Sequence, residues 1–390
     1  MSRYTKSERL SDFIDYSPLR TNEAKRLLEY QDKKSNFKPV SGDTYIGIEV
    51  EVEKIIAPFP ENGFKFWQCV PDGSLRNNGQ EYVSQPMRGK LIGHALDELH
   101  TWLTQKNSKH DFSVRTSVHV HMNARHMSVE EIVNFILTYS LVEPFFYEFS
   151  KKYTNDRIAN NFCVPISHAQ NALNLPGMIK EFEAGNKNNA IRVMTNNWKK
   201  YTGFNLLPLG GAGTIEFRQL GGTIDLKVLH TWINMIFSLK KFSCSVSYKG
   251  LKNRISRLNY SSEYQALFYE IFTIPEIQLE FPIDFIIQTL EDSSDSLKQI
   301  FISHEESLKL FSIKKPEYSP LMKYLIDKQL IADLSSLLKQ IRDIEIQIEK
   351  MEAEIVGKGE AAFKTPLEKE KWEAKWSALQ TEYRSLKKRL

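Results

Sequence analysis

Three glutamates alternate with aliphatic residues in Tyr45-Ile46-Gly47-Ile48-Glu49-Val50-Glu51-Val52-Glu53. A period of two and β-branched residues predict a strand, with Ile46, Ile48, Val50 and Val52 on one face and Glu49, Glu51 and Glu53 on the other. Same-face neighbours on a strand lie roughly 6.5 Å apart, twice a rise of about 3.3 Å. Like charges in such a row repel, and partial burial would raise their pKa values. A divalent cation relieves that cost. Hard cations take carboxylate oxygens and often bridge them to phosphates. Taken alone, the row is either a solvated strand face or a metal platform.

Further segments repeat the polarity. Pro71-Asp72-Gly73-Ser74-Leu75 reads as a turn, followed by Gly79-Gln80-Glu81-Tyr82-Val83-Ser84-Gln85-Pro86, a short strand begun by Glu81 and stopped by Pro86. Alone this is a hairpin with polar ends. In Thr116-Ser117-Val118-His119-Val120-His121-Met122-Asn123, Ser117, His119, His121 and Asn123 share one face and Val118, Val120 and Met122 the other. Two histidines on a polar strand face are metal-ligand or acid–base candidates, or a partly buried polar patch. In Gly213-Thr214-Ile215-Glu216-Phe217-Arg218-Gln219, Glu216 and Arg218 point together, opposite Ile215 and Phe217. If these strands lie side by side, one sheet face carries Glu49, Glu51, Glu81, His119, Glu216 and Arg218. Carboxylates that hold cations, beside an arginine, suit an anionic, phosphate-bearing substrate.

The elements that must position these residues are a strand–helix mixture. Strand-like runs fall at 45–53, 81–84, 114–122 and 214–220. Helical runs fall at Lys90–Leu103 and at Ser128–Tyr153, where Ser128 and Glu131 form a capping-box pattern, and at Leu226–Leu239, introduced by Asp225. The regular alternation of a parallel α/β sheet is missing, so the fold class is α+β around an antiparallel sheet. Residues 1–40 read as an N-terminal arm with a modest helical pattern at Glu23 to Tyr30, 41–245 as the core, and 246–329 as a helical extension punctuated by Pro275, Pro282, Pro316 and Pro320. In 330–390, Leu334, Leu337, Ile341, Ile344, Ile348, Met351 and Ile355 follow three-four spacing. So do Trp372, Trp376, Leu379, Tyr383, Leu386 and Leu390, with Gly357-Lys358-Gly359 and Thr365-Pro366 between the two runs. This predicts a C-terminal α-helical hairpin with coiled-coil-like seams. It either zips on itself or serves homo-oligomerisation or partner docking.

The chain has 390 residues, 41% of them hydrophobic and 26% charged, an ordinary soluble composition with room for two or three structural units. A net charge of +4 without a long Lys/Arg block gives no indication of nucleic-acid binding. Cys69, Cys163 and Cys244 are odd in number and widely spaced, which argues against a disulfide framework or a cysteine zinc site and for a reducing compartment. The polar stretch Met1 to Arg9 has no apolar run after it, so no signal peptide is expected, and no run approaches the roughly 18 apolar residues of a membrane span. A cytoplasmic location is the expectation.

Taken in order, GIEVEVE, DGSL, GxEYVSxP, HVHMN and TIEFRQ resemble the amidoligases, which belong with glutamate–cysteine ligase and glutamine synthetase to the carboxylate–amine ligase superfamily. The likeness spans roughly residues 44–240. It includes Val228-Leu229-His230-Thr231-Trp232-Ile233, Asn161-Phe162-Cys163-Val164-Pro165 and Lys200-Tyr201-Thr202-Gly203-Phe204-Asn205-Leu206. The resemblance implies a curved antiparallel sheet of the glutamine-synthetase/glutamate–cysteine-ligase type, covered by helices. It implies an enzyme that joins a carboxylate to an amine with ATP, through an acyl phosphate, on two or three Mg2+ ions, with Mn2+ able to substitute. Carried over by position, Glu49, Glu51, Glu81, His119 and Glu216 are metal or ATP-phosphate ligands. Arg218 stabilises the transferring phosphoryl group, and Asp72 orients or deprotonates the amine. Ser84, His121, Asn123, Lys200, Tyr201 and Asn205 are candidate cofactor or substrate contacts, and Arg157 a candidate carboxylate binder. The acid and amine are small molecules, peptides or protein side chains. The resemblance leaves open which of His119 and His121 binds metal, and whether Glu53 has a role. The hairpin lies outside it.

Two other readings compete. A metal-dependent hydrolase could use His119 and His121, but His126, His168 and His230 fall in no zinc-ligand spacing. A non-catalytic docking protein on a relic ligase fold would have no need of the acidic and basic site residues.

Overall fold

The alternating glutamate segment forms the longest strand, β1 (Ile46–Ile56), near the middle of a seven-stranded sheet. The computed structural model describes residues 8–56, 63–106, 108–158, 160–168, 174–196, 198–301, 340, 343–344, 347–348, 351 and 365–389. The other strands are β2 (Trp67–Pro71), β3 (Gln80–Ser84), β4 (Lys109–Asp111), β5 (Ser117–Asn123), β6 (Phe204–Asn205) and β7 (Thr214–Gly221). Their order is β2-β3-β1-β5-β7-β6, with β4 added at the far end of β1, and every pairing is antiparallel. The sheet does not close. The α+β class with an antiparallel sheet therefore holds.

Alternation fixes which face is buried. Ile46, Ile48, Val50 and Val52 are each at most 1% exposed and join one hydrophobic core with Val118, Val120, Met122, Ile215 and Phe217. Helices α2 (Lys90–Leu103), α3 (Val129–Tyr153) and α6 (Leu226–Ser245) contribute to the same core; α1 (Glu23–Glu29) precedes the sheet. Helices α4 (Asn174–Glu183) and α5 (Lys187–Asn196) lie in the β5–β6 connection. After α6 come α7 (Tyr248–Arg257), α8 (Ser261–Ile271), α9 (Pro275–Gln278) and α10 (Ile283–Phe301).

Local signals set the helix starts. The Ser128 hydroxyl accepts the Glu131 N–H at 3.1 Å and the Glu131 carboxylate accepts the Ser128 N–H at 2.6 Å, a complete capping box. Asp225 accepts the Val228 N–H at 3.0 Å and starts α6. That helix runs six residues past the expected Leu239, held by buried Phe242. Strand β5 starts at Ser117 rather than 114, because Thr116 turns back and donates both its N–H and its hydroxyl to the Ser113 carbonyl. Strand β2 was not expected: Trp67-Gln68-Cys69-Val70-Pro71 lacks clean alternation, and pairing with β3 from Trp67↔Ser84 to Pro71↔Gln80 makes it a strand.

The chain divides into two units, 1–303 and 304–390. In the second, Ile344, Ile348, Met351 and Leu379 form a small apolar cluster, with Trp372, Trp376 and Tyr383 packed against it, and Pro366–Arg389 is helical. The cluster joins members of the two runs expected to form the hairpin. Leu334, Leu337, Ile341, Ile355, Leu390, the Gly357-Lys358-Gly359 break and residues 302–329 of the expected extension lie outside the described residues, as do 1–7 of the arm. Among the described residues, no helix is long and apolar enough to cross a membrane.

Candidate functional site

Register carries the three carboxylates of β1 into contact with other strands. Glu51 stands opposite Glu81 of β3, and Glu49 opposite His119 of β5. His121 stands opposite Glu216 of β7. Like charges directly opposite destabilise a sheet, so the Glu51–Glu81 pair is a cost that the strand order imposes.

These residues line a cavity of about 490 Å³ on the polar sheet face, together with Asp72, Ser117, Arg218, Lys200 and Tyr201. Glu49 lies between the two histidines: its Oε2 is 3.1 Å from His119 Nδ1 and its Oε1 3.3 Å from His121 Nε2. The Ser117 hydroxyl donates to Glu51 Oε2 at 2.5 Å and lies 2.8 Å from His119 Nε2. Glu216 pairs with Arg218 and accepts the Asn205 amide at 2.7 Å. Three groupings offer ligand atoms within 4.8 Å of one another: Glu49–His121–Glu216, Glu49–Glu81–His119 and Glu51–Asp72–Glu81. Glu49 is common to the first two and Glu81 to the last two. Both histidines are thus ligand candidates, but among the described residues no grouping holds the two together.

Electrostatics follow from this crowding. Burial works against the Glu49 carboxylate, but hydrogen bonds from His119 and His121 and their charge outweigh it and hold Glu49 well below the usual carboxylate range. Glu216 behaves alike: burial opposes ionisation, while His121, Arg218 and His119 more than offset it. Burial also opposes the charged form of His121, yet Glu49 and Glu216 push its pKa up. Glu81 has no such partner. Burial, then the charges of Glu49, Glu51 and Asp72, push it up to about 8.

Three candidates do not line this cavity. The Ser84 hydroxyl is turned toward β1 and accepts the Ile48 N–H at 2.8 Å. Asn123 accepts the Arg125 N–H at 3.2 Å and lines a separate pocket near Tyr45 and Lys240. Asn205 is 3% exposed and acts through Glu216. Glu53 lies outside the cavity as well. It is 3% exposed and accepts the Arg76 N–H at 2.9 Å, so it secures the β2–β3 connection that carries Asp72. Asp72 itself accepts the N–H and hydroxyl of Ser74, at 2.8 and 2.9 Å, in an Asx turn.

Sequence reasoning missed Arg115 at the cavity rim and the buried polar network that holds the facing loops. Glu143 of α3 accepts the Tyr139 hydroxyl at 3.0 Å and the N–H groups of Ile166 and Ser167 at 2.8 and 3.3 Å. Burial pushes Glu143 up to about 7, against the opposing pull of these donors. Nothing in the amphipathic pattern of α3 marks it, because it sits among apolar neighbours. It anchors the connection that presents Phe162, whose ring meets that of Tyr201 edge-on at 5.4 Å. Glu143→Ala is expected to cost about 3–5 kcal/mol, the penalty for orphaning buried partners. Denaturant unfolding checks this, and a loss below about 1 kcal/mol would contradict the anchoring role.

Comparison with known proteins adds one finding. Residues 76–239 match the family described as "Putative amidoligase enzyme". The match supports the amidoligase family read from the motifs, and with it ligase activity in general. No curated protein matches the chain. The matched segment contains Glu81, His119, His121, Arg157, Lys200, Tyr201, Glu216 and Arg218, but begins after β1 and Asp72. Glu49, Glu51 and Asp72 are tied to it by geometry instead, through the pairing of β1 with β3 and β5 and through the shared cavity.

Proposed function

We propose that this protein is an ATP-dependent carboxylate–amine ligase of the glutamine-synthetase/glutamate–cysteine-ligase type, forming an amide or isopeptide bond through an acyl phosphate. The observation that carries the reading is the set of three overlapping donor groupings on one sheet face, with Arg218 beside them. The donor chemistry fits the expected cations. Glu51–Asp72–Glu81 offers only carboxylate oxygens, as Mg2+ selects, and the two groupings with one histidine also suit Mn2+. Bound there, two or three divalent ions would neutralise the triphosphate and polarise its terminal phosphoryl group.

The chain's own residues then divide the work. Glu49, Glu51, Glu81, His119, His121 and Glu216 hold the cations, and Ser117 and Asn205 orient Glu51 and Glu216 by hydrogen bonds. Arg218 offsets the charge that develops on the phosphoryl group as it leaves ADP for the substrate carboxylate. Asp72, half-buried and part of the all-oxygen grouping, faces the incoming amine, orients it and takes its proton. The amine displaces phosphate, so each cycle converts one ATP, one acid and one amine to ADP, phosphate and an amide. Lys200 and Tyr201 contact nucleotide or substrate from the rim.

The test is phosphate release from ATP and Mg2+ with a panel of acids and amines, and mass spectrometry of the products. The expected result is phosphate release that needs both partners and yields a product equal in mass to acid plus amine minus water. ATP consumption independent of any acid, or none with purified folded protein that also fails to bind Mg–ATP, would sink the reading.

A further inference from the structure

A second cavity, of about 740 Å³, adjoins the polar sheet face, lined there by Gln68 of β2, Val83 of β3 and Gln85 just beyond it. Register fixes its relation to the candidate site. Gln68 stands opposite Val83, and Val70 opposite Glu81. Alternation puts Glu81, Val83 and Gln85 in one row, and the Gln85 N–H still bonds the Phe66 carbonyl at 2.9 Å. Glu81 lines the candidate site, whereas Val83 and Gln85 line the second cavity. Four residues of strand, about 13 Å, separate Glu81 from Gln85.

The two cavities differ in charge. The second is lined by Arg20, Arg26 and Lys65 and, among the described residues, by no carboxylate. Arg20 and Lys65 are exposed, and among the described residues neither forms an ion pair. Arg26 of α1 pairs with Glu29 at 2.7 Å, while its Nε is buried with no acceptor. Glu98 takes the backbone N–H groups of Lys65 and Phe66, at 2.8 and 3.0 Å, and does not line the cavity. A cleft walled by one sign of charge concentrates ligands of the other. Its aromatic residues offer a nucleobase no free face. Phe66 is 2% and Trp67 4% exposed, and Phe64 is held in T-shaped contacts by Tyr82 at 5.7 Å and Trp102 at 5.4 Å. The exposed Gln68 amide instead supplies a donor and an acceptor that suit a peptide backbone.

We propose that this cavity holds the acidic flank of an extended polypeptide, so that the acid joined at the candidate site is a carboxylate carried by a peptide chain and not a free amino acid; the reaction itself rests on the ligase reading. An extended chain advances about 3.3–3.6 Å per residue, so about four residues span the distance from Glu81 to Gln85. A carboxylate among the cations at Glu81 then has acidic neighbours beside Arg20, Arg26 and Lys65. A free amino acid is too short to reach both places.

The experiment is calorimetric binding to the full-length protein of three probes: an octapeptide of alternating glutamate and serine, a counterpart that keeps one glutamate and has glutamine for the others, and free glutamate. The acidic octapeptide should bind ten times tighter or more than either of the others. That preference should fall fivefold or more in the double variant Arg20→Glu with Lys65→Glu, with Mg–ATP affinity within twofold of wild type. It should persist in Lys241→Glu with Lys249→Glu, which makes the same change in net charge at exposed positions of α6 and α7. A wild-type protein that does not prefer the acidic octapeptide overturns the proposal without need of a variant. So does a preference that survives the Arg20 and Lys65 reversals, or one lost equally in the Lys241 and Lys249 control, which would reflect net charge alone. Mg–ATP affinity lost with Arg20 and Lys65 would assign the cavity to the nucleotide and overturn it too. Selective binding of the acidic octapeptide by a wild-type protein that fails to bind Mg–ATP would uphold the peptide site and defeat the ligase reading.

Discussion

Glu49→Ala is expected to abolish Mg–ATP binding and to lower ligase turnover by about 10³-fold or more, the scale on which loss of a charge-stabilising group at a reacting centre is felt. Glu49 belongs to two of the three ligand groupings and touches both histidines. No other side chain of the sheet does both. Its removal leaves His119 and His121 without their nearest shared anion, so a cation would have to be held by Glu81 or Glu216 alone with one histidine. The change is not expected to unfold the chain. Glu49 is on the polar face, and the opposite face of β1 keeps Ile48 and Val50 in the core. Titration of Mg–ATP by calorimetry, with circular dichroism as the folding control, measures both. Undiminished Mg–ATP binding in a folded Glu49→Ala protein would remove the central support for the metal platform.

The second large effect concerns Glu81. Its carboxyl is pushed from an ordinary value of 4.5 to about 8, first by burial and then by Glu49, Glu51 and Asp72. Between these two values the unfolded chain has lost the Glu81 proton and the folded chain keeps it. The folded state then binds more protons, so stability falls as pH rises through this window. Glu81→Gln mimics the protonated form. In EDTA it is expected to melt with wild type near pH 4 and about 2–4 °C above it at pH 8–9, a shift modest because the group is partly exposed. Magnesium is expected to reverse the order. A cation that takes the proton's place would stabilise wild type, whereas Glu81→Gln, without a candidate ligand common to two groupings, would gain little. Melting curves with EDTA and with Mg2+ at both pH values decide this. A Glu81→Gln protein with the same pH dependence and the same magnesium response as wild type would refute the account.

The local chemistry was legible because its signals are local. Alternation along 46–53 set the polar and apolar faces of β1, and burial of Ile46, Ile48, Val50 and Val52 follows it. Ser128 with Glu131, and Asp225, placed two helix starts from a few residues of sequence. Other features depended on partners far away in the chain. Strand β2 exists through its pairing with β3. Ser84 was a candidate contact by resemblance alone, but it lies one residue out of phase with Glu81 at Ser84-Val83-Tyr82-Glu81 and accepts the Ile48 N–H of β1 instead of lining the cavity. Glu143 gave no sign of its role, since the backbone N–H groups that it ties down belong to a loop more than 20 residues on.

By itself the sequence determined the residue types of the site, their strand faces and their likeness to the amidoligases, because a period of two and short motifs are written into neighbouring residues. Tertiary structure alone decided which of those residues meet. The order β3-β1-β5-β7 put Glu51 against Glu81, Glu49 against His119 and His121 against Glu216. It turned Glu53 away to hold a turn and buried Arg157 without an anion. Strand order and burial come from packing between distant segments, and no local pattern encodes the distance between two charges on different strands.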